Sequence, residues 1–499
     1  MKKHALNTNT ITIIRRTLGY GLLVTLVSLT SIMIYVLESR PDLDLWHEVD
    51  LNEEFDTRSK VTDFAGYLEL EERLFDQLDK EVYQKTPPGD SSSVSRYRKG
   101  SRTSPEGRTP DWNRTFLLEQ KSPQAGVLLL HGMSDSPYSL RHLGESLHSS
   151  GATVIGLRIP GHGTAPSGLV ETSWKDMAAA VRIAAKHLKK EIGDKPLYLV
   201  GYSNGGALAV VYALESMADT SLPRPAGLAL LSPQIGVSPA AAFAVWQGRI
   251  GHWLGLEKMA WNSISVEYDP YKYSSFAINA GDQSYRITVA IDQHLNHLKE
   301  TDSLDDFPPV LAFQSAVDAT VSGEALVTRL FARLPDQGHE LVIIDTNRVD
   351  IVKHLLVQDP EPQLDTLRAR ADKPFALSII TNAAGADERP TRQVHIEHQA
   401  AGQTAITTES TDLKWPRDVF SLSHIALPFP ESDPIYGGGN KGETTTLGNI
   451  TLRGERGALC IAPGEMLRQR WNPFYPWMEK RVHGFCKLPN GRDRPPGGP

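Results

Sequence analysis

The sequence predicts an α/β protein: a mostly parallel sheet with helices on both faces. Three observations point there. Short apolar runs recur through the middle of the chain, stretches with helical spacing separate them, and one run leads straight into Gly201-Tyr202-Ser203-Asn204-Gly205. Strands that are apolar throughout, rather than alternating with polar residues, belong to sheets covered on both faces. A Gly-x-Ser-x-Gly that follows a strand and opens a helix is a nucleophile elbow, a sharp turn that lifts its serine clear of the sheet.

The chain has 499 residues and a net charge of −7, so its charge balance gives no reason to expect a nucleic-acid partner. Residues 17–37 carry no charge. At about 1.5 Å per residue, a helix of that length crosses a bilayer core of about 30 Å. Lys2, Lys3, Arg15 and Arg16 precede it, and Glu38, Asp42, Asp44, Glu48 and Asp50 follow. The positive-inside rule leaves residues 1–16 in the cytoplasm and the bulk of the chain across an inner or cytoplasmic membrane, on the periplasmic or extracellular side. A cleaved signal peptide has an apolar core of about 7–15 residues and a small-residue cleavage site. Here the stretch is longer and ends Ile34-Tyr35-Val36-Leu37, so it reads as an uncleaved single-pass signal anchor.

Residues 38–110 form a helical segment and linker. Phe64, Leu68, Phe75, Leu78 and Val82 fall at near-helical spacing within 61–84, with Glu69, Glu71, Glu72, Asp76 and Asp79 on a solvated acidic face. Residues 86–111 are rich in Pro, Ser, Gly and Arg and read as a linker or irregular loop.

The main domain runs from 111 to 499. Strands are expected at 115–118, 127–130, 153–157, 197–200, 228–231, 310–313 and 341–344, with helices at 174–190 and 207–217. Two long intervals interrupt this rhythm. Residues 234–307 carry Trp246, Trp253, Trp261, Tyr268, Tyr271, Tyr273 and Phe276 and fit a lid above the C-terminal edge of the sheet, most of these aromatics forming the lid's own core. Residues 347–412 are a second insertion with a strand-like 375–381 and no evident function. The tail after Leu488, rich in Pro and Gly, has a disordered composition.

The chemistry centres on Ser203. Gly201 and Gly205 suit an elbow because strand and helix backbones nearly touch there, and Gly206 allows closer packing still. A serine nucleophile needs a base to take its proton and a carboxylate to fix the tautomer of that base. In this chain order, Ser then acid then His, Asp318 fits the acid: it lies just past the strand 310–313. Asp345, ending a later strand, is the reserve, while Asp305 and Asp306 precede their strand. His354, His395, His398, His424 and His483 are the available bases, and His424 sits in an apolar loop before a Pro-rich turn. His395 and His398 would face together on a helix, but lack a third metal ligand. The oxyanion hole requires two backbone N–H groups, from Asn204 and from Met133 after the strand Val127-Leu128-Leu129-Leu130. His131 then shapes that turn.

In Leu130-His131-Gly132-Met133, Arg158-Ile159-Pro160-Gly161-His162-Gly163-Thr164, Gly201-Tyr202-Ser203-Asn204-Gly205-Gly206, Asp318 with Thr320-Val321, and Ser423-His424, the chain resembles the α/β-hydrolases of the monoacylglycerol lipase, lysophospholipase and serine aminopeptidase-like group. The resemblance covers about 114–429 and implies the α/β-hydrolase fold with Ser203 as nucleophile, Asp318 as acid and His424 as base. Met133 and Asn204 become the oxyanion donors, and His162 a structural residue of the Gly-His-Gly loop. The chain departs from the family in its N-terminal anchor, in the long interval between Asp318 and His424, and in its C-terminal extension.

The expected function is membrane-anchored cleavage of a carboxylic ester through an acyl-enzyme, on a small amphiphile such as a lysophospholipid or monoacylglycerol. No metal or organic cofactor is implied. An aminopeptidase is the enzymatic rival and would use Glu267 or Asp269 to hold an α-amino group; a catalytically silent binding module is the other alternative. Cys460 and Cys486 are as compatible with a disulfide as with buried thiols.

Overall fold

The computed structural model describes residues 8–90, 92–236, 257–346, 355–382, 391–416, 419–438, 452–460 and 466–489. Trp246, Trp253 and His354 lie outside the described residues.

Each expected apolar run forms a strand, and further strands join them. The strands are β1 (Phe116–Leu118), β2 (Ala125–Leu130), β3 (Ala152–Leu157), β4 (Leu197–Tyr202), β5 (Gly227–Leu231), the short β6 (Trp261–Ser263) and β7 (Phe276–Ala277), β8 (Val310–Ser315), β9 (His339–Asp345), β10 (Phe375–Asn382), β11 (Thr391–Gln399) and β12 (Thr407–Pro416). Ten of them form one sheet in the order β1-β3-β2-β4-β5-β8-β9-β10-β11-β12. It is parallel from β3 through β10, with antiparallel pairs at both edges.

The absence of polar alternation has its expected cause. Leu128, Leu130, Leu197, Leu199, Val310 and Ala312 point into one core, and Val127, Leu129, Tyr198, Val200, Leu311 and Phe313 into the other. Helices Trp174–Ile192, Asn204–Ala218 and Ile278–Glu300 contribute to the first core, and Arg141–Ser149 and Tyr475–Phe485 to the second. Helix Trp174–Ile192 starts on a capping box, in which Ser173 Oγ accepts the Asp176 N–H at 3.3 Å and the Asp176 carboxylate accepts the Ser173 N–H at 3.0 Å.

The second insertion proves to be an extension of the sheet. β10 pairs in parallel with β9, and β11 and β12 add an antiparallel hairpin that forms the far edge. The outermost strand is mostly exposed and polar (Thr407, Thr408, Glu409, Ser410), which discourages pairing with another chain.

Two expectations need correction. Helix Phe64–Leu78 forms, but its acidic face is not wholly solvated. Glu71 is buried, its Oε2 3.0 Å from Arg158 Nε, because Arg158 is itself buried and needs a counter-charge. Residues 86–111 are irregular yet packed rather than loose: Arg96 and Tyr97 are buried, and the Arg96 guanidinium lies over the rings of Tyr97 and Tyr273. Helix Thr8–Glu38 covers the expected span at 17–37; among the described residues no helix is long and apolar enough to cross a membrane. Thr25 and Thr30 donate their hydroxyls to the carbonyls of Gly21 and Leu26. Cys460 is exposed and Cys486 buried, both as free thiols, and burial pushes the Cys486 thiol up.

Candidate active site

β4 ends at Tyr202, and Ser203 turns the chain into helix Asn204–Ala218 with φ 53° and ψ −116°. That backbone conformation costs on the order of 1–3 kcal/mol in a non-glycine residue and persists only where the surroundings enforce it. Here they do. A Cβ on Gly201 would overlap the Gly205 carbonyl, and one on Gly205 would overlap the Leu130 carbonyl oxygen. Gly206 meets Pro233 in the same way. The two glycines of the motif are therefore fixed by contact between backbones.

Asp318 follows β8. Its Oδ1 accepts the N–H groups of Thr320 (2.8 Å) and Val321 (3.0 Å), and its Oδ2 accepts Gln314 Nε2 at 2.9 Å. His424 Nδ1 lies 2.9 Å from the same Oδ2. Burial works to raise this carboxyl, but the His424 imidazole and the two backbone N–H groups outweigh it and hold Asp318 below the usual aspartate range. Asp345 ends β9, and it is Asp318 that faces the histidine.

His424 opens a short 3-10 turn, His424–Ala426, and places Nε2 3.1 Å from Ser203 Oγ. With Nδ1 donating to the carboxylate, the Nε2 lone pair faces the serine hydroxyl. Ser203, His424 and Asp318 are thus one hydrogen-bonded run. The other candidate bases among the described residues lie elsewhere. His395 and His398 are on β11, not on a helix, so a spacing of three puts them on opposite faces of the sheet. His398 bonds Ser378 Oγ at 3.0 Å, and His483 bonds Ser146 Oγ at 2.9 Å.

The loop after β2 passes beside the serine: a Cβ on Gly132 would sit 3.2 Å from Ser203 Cβ. Met133 follows on this loop, and Asn204 opens the first turn of the helix, where backbone N–H groups lack intrahelical acceptors. His131 Nε2 accepts the Ile159 N–H at 3.1 Å, so its Nδ1 carries the proton and donates to Gly132 O at 2.9 Å. Burial holds His131 well below the usual histidine value, which keeps it neutral and confines it to shaping the turn. Next on the loop, burial raises the Asp135 carboxyl to about 6 despite Lys272.

The described part of the expected lid has Trp261, Tyr271 and Tyr273 buried. Both carboxylates considered for an α-amino group are occupied. Glu267 accepts the N–H groups of Ser274 (2.9 Å) and Ser275 (2.8 Å). Asp269 accepts Tyr436 Oη at 2.6 Å and the N–H groups of Tyr271 and Lys272.

Residues 121–352, which contain the elbow, the Met133 loop and Asp318, match the family model described as serine aminopeptidase, S33. That match falls on a mostly parallel sheet whose fourth strand ends at the strained serine. The chain has the α/β-hydrolase fold. The chain is 35% identical over 88 residues to the thermostable monoacylglycerol lipase of Bacillus sp. (strain H-257), covering 18% of this chain and 34% of that protein. It is 32% identical over 95 residues to a putative 2-succinyl-6-hydroxy-2,4-cyclohexadiene-1-carboxylate synthase of Haemophilus influenzae (strain ATCC 51907 / DSM 11121 / KW20 / Rd), covering 19% and 36%. The chain thus spans about a third of the length of these curated relatives. Among solved structures it is similar to a monoacylglycerol lipase of Paleococcus ferrophilus, at 20% identity and a TM-score of 0.33, covering 44% of this chain and 84% of that one.

The family match ends before His424. Around that histidine the fold places residues that no motif announced. Glu455 accepts the His424 N–H, Arg468 pairs with Glu455, and Gln314 bonds Asp318. Gln314 directly follows the apolar run of β8, so its place one residue past that run was the available signal. Glu455 and Arg468 have no such local mark.

Proposed function

We propose that this chain is a serine hydrolase that cleaves carboxylic esters through an acyl-enzyme. The hydrogen-bonded run from Ser203 Oγ to His424 Nε2 (3.1 Å) and from His424 Nδ1 to Asp318 Oδ2 (2.9 Å), anchored on a strained elbow, is the observation that carries this. Ser203 Oγ attacks the ester carbonyl carbon as His424 Nε2 takes the hydroxyl proton. The oxyanion that forms is met by the backbone N–H groups of Met133 and Asn204. His424 returns the proton to the departing alcohol oxygen, leaving an acyl-Ser203 ester. Water, deprotonated by the same nitrogen, then releases the acid and restores the serine. Asp318 holds the tautomer and offsets the imidazolium charge.

The substrate proposed is a small amphiphilic ester of the monoacylglycerol or lysophospholipid kind, in line with the monoacylglycerol lipase among the relatives. The aminopeptidase alternative draws on the family description. It is disfavoured because Glu267 and Asp269 already hold the backbone of their own loop. Ser203→Ala is expected to abolish turnover of a short-chain nitrophenyl ester and labelling by a fluorophosphonate probe. Wild-type turnover in the variant would overturn the mechanism. A folded wild-type chain that takes no label would favour a silent binding module, and faster cleavage of an aminoacyl amide than of an acyl ester would favour the peptidase.

Association with a membrane through helix Thr8–Glu38 belongs to the same proposal. Leu18, Leu22, Leu23, Val24, Leu26 and Val27 are all exposed on it, a surface that water alone does not favour. The basic residues before it and acidic residues after it assign the ester-cleaving domain to the trans side. The full chain is expected in the membrane pellet after alkaline carbonate washing; its release into the supernatant would refute the anchor.

A further inference from the structure

The histidine loop is docked on a short ribbon from the C-terminal extension. Strands β13 (Leu452–Gly454) and β14 (Met466–Arg468) pair in parallel, and Val419 bridges to Arg453 alongside them. Phe420 N–H donates to Arg453 O at 2.8 Å, and Glu455 N–H donates to Ser421 Oγ at 3.0 Å. Ser423 Oγ donates to the Gln469 carbonyl. Three of the four residues before His424 are therefore held by this ribbon.

Glu455 stands at its centre with its side chain 1% exposed. Oε2 accepts the His424 N–H at 2.5 Å, and Oε1 accepts Arg468 Nη2 at 2.7 Å. The same Nη2 donates to Thr320 Oγ1 at 2.8 Å, and the Thr320 N–H donates to Asp318 Oδ1 at 2.8 Å. A closed polar ring results: His424 backbone, Glu455, Arg468, Thr320, Asp318 and back through the His424 imidazole. Burying a carboxylate is costly even when it is paired, and an apolar filling of similar volume is often as stable. Fold stability alone therefore does not account for a glutamate here, whereas its two contacts reach the two loops that carry His424 and Asp318.

We propose that Glu455 is a positioning residue of the triad, and that with Arg468 it sets the spacing between the histidine loop and the acid loop. This rests on the serine-hydrolase reading. A displacement of about 1 Å in such a constellation costs up to about 100-fold in rate, and neither Glu455 nor Arg468 takes a reacting part in that mechanism. The effect should therefore fall on kcat and spare KM.

The test uses the full chain with Glu455→Leu, Glu455→Gln and Arg468→Met, a nitrophenyl ester, and proton NMR of the low-field imidazole N–H shared by His424 and Asp318. Glu455→Leu is expected to lower kcat about 10- to 100-fold, with KM within about twofold, and to weaken or broaden the low-field resonance. Glu455→Gln keeps an oxygen for the His424 N–H and should recover most of kcat and the resonance. Arg468→Met should fall between them; its side chain is a quarter exposed, so it serves as the tolerant variant if Glu455→Leu does not fold. Wild-type kcat and an unchanged resonance in folded Glu455→Leu or Arg468→Met would overturn the proposal, as would a glutamine variant no better than leucine. If the wild type itself neither turns over ester nor takes a fluorophosphonate label, the serine-hydrolase reading fails. The resonance then still decides whether Glu455 positions His424.

Discussion

Ser203 and His424 come within 3.1 Å of each other, but the two sides of the site are held by different forces. On the serine side the backbone does the holding. Gly201 and Gly205 leave no room between β4, the following helix and the Leu130 carbonyl, so steric contact fixes Ser203 in its strained conformation. On the histidine side the holding is polar and comes from far along the chain. Glu455 lies 31 residues beyond His424, and Arg468 reaches back 148 residues to Thr320. Steric enforcement is short-ranged and hard to relax. A polar ring is long-ranged, and its strength depends on charge.

Two glycines test that contrast most directly. Gly205→Ala drives a Cβ into the backbone oxygens of Leu130 and His131, which cannot move without breaking the pairing of β2 with β4. Destabilisation of about 3 kcal/mol or more is expected by urea unfolding, or failure to accumulate folded protein. The nearest atoms to a Cβ in Gly454→Ala belong to the Phe420 ring, a side chain rather than backbone. A cost of about 1 kcal/mol is expected there, with a several-fold loss of esterase rate because Phe420 leads into the histidine loop. Equal costs at the two positions would erase the distinction.

The smallest effect is one of pH. Burial pushes the Glu455 carboxyl up to about 7, opposed by Arg468 and His424 and assisted by Asp318, with Tyr202 also nearby. The folded value lies above the ordinary glutamate value of 4.5, so the folded chain binds this proton more tightly than the unfolded one. The stability this provides is complete below that ordinary value and is lost as pH rises through about 7. Between about pH 5 and pH 8, the unfolding free energy of the wild type should fall relative to Glu455→Gln. A constant difference across that range would show that Glu455 does not titrate there.

The same division explains what could be read from the sequence. The elbow, the strands and Asp318 were legible because each depends on neighbours within a few residues: an apolar run, a glycine two places away, the end of a strand. His424 was legible only by chain order and resemblance, since its local sequence differs little from any apolar loop. Glu455 and Arg468 were not legible at all. A buried glutamate looks like a surface one until its partners are known. The sheet extension through β11 and β12 was hidden for a related reason: an edge strand such as Thr407–Pro416 is mostly polar and lacks the apolar run that marks the central strands. Glu71 was misread as solvated because its helix gives no sign that Arg158 waits beneath it.

The late arrival of the histidine has a consequence for biosynthesis. Ser203 is translated 221 residues before His424, and His424 31 residues before Glu455, which accepts its backbone N–H. Because a chain leaves the ribosome N-terminus first and can fold as it emerges, the elbow can form while the polypeptide is still incomplete. On the proposed mechanism that nascent serine is inert, having no group to take its proton. On that reading ester cleavage begins only after the ribbon of β13 and β14 has been made and has docked, so its synthesis serves as the activation step.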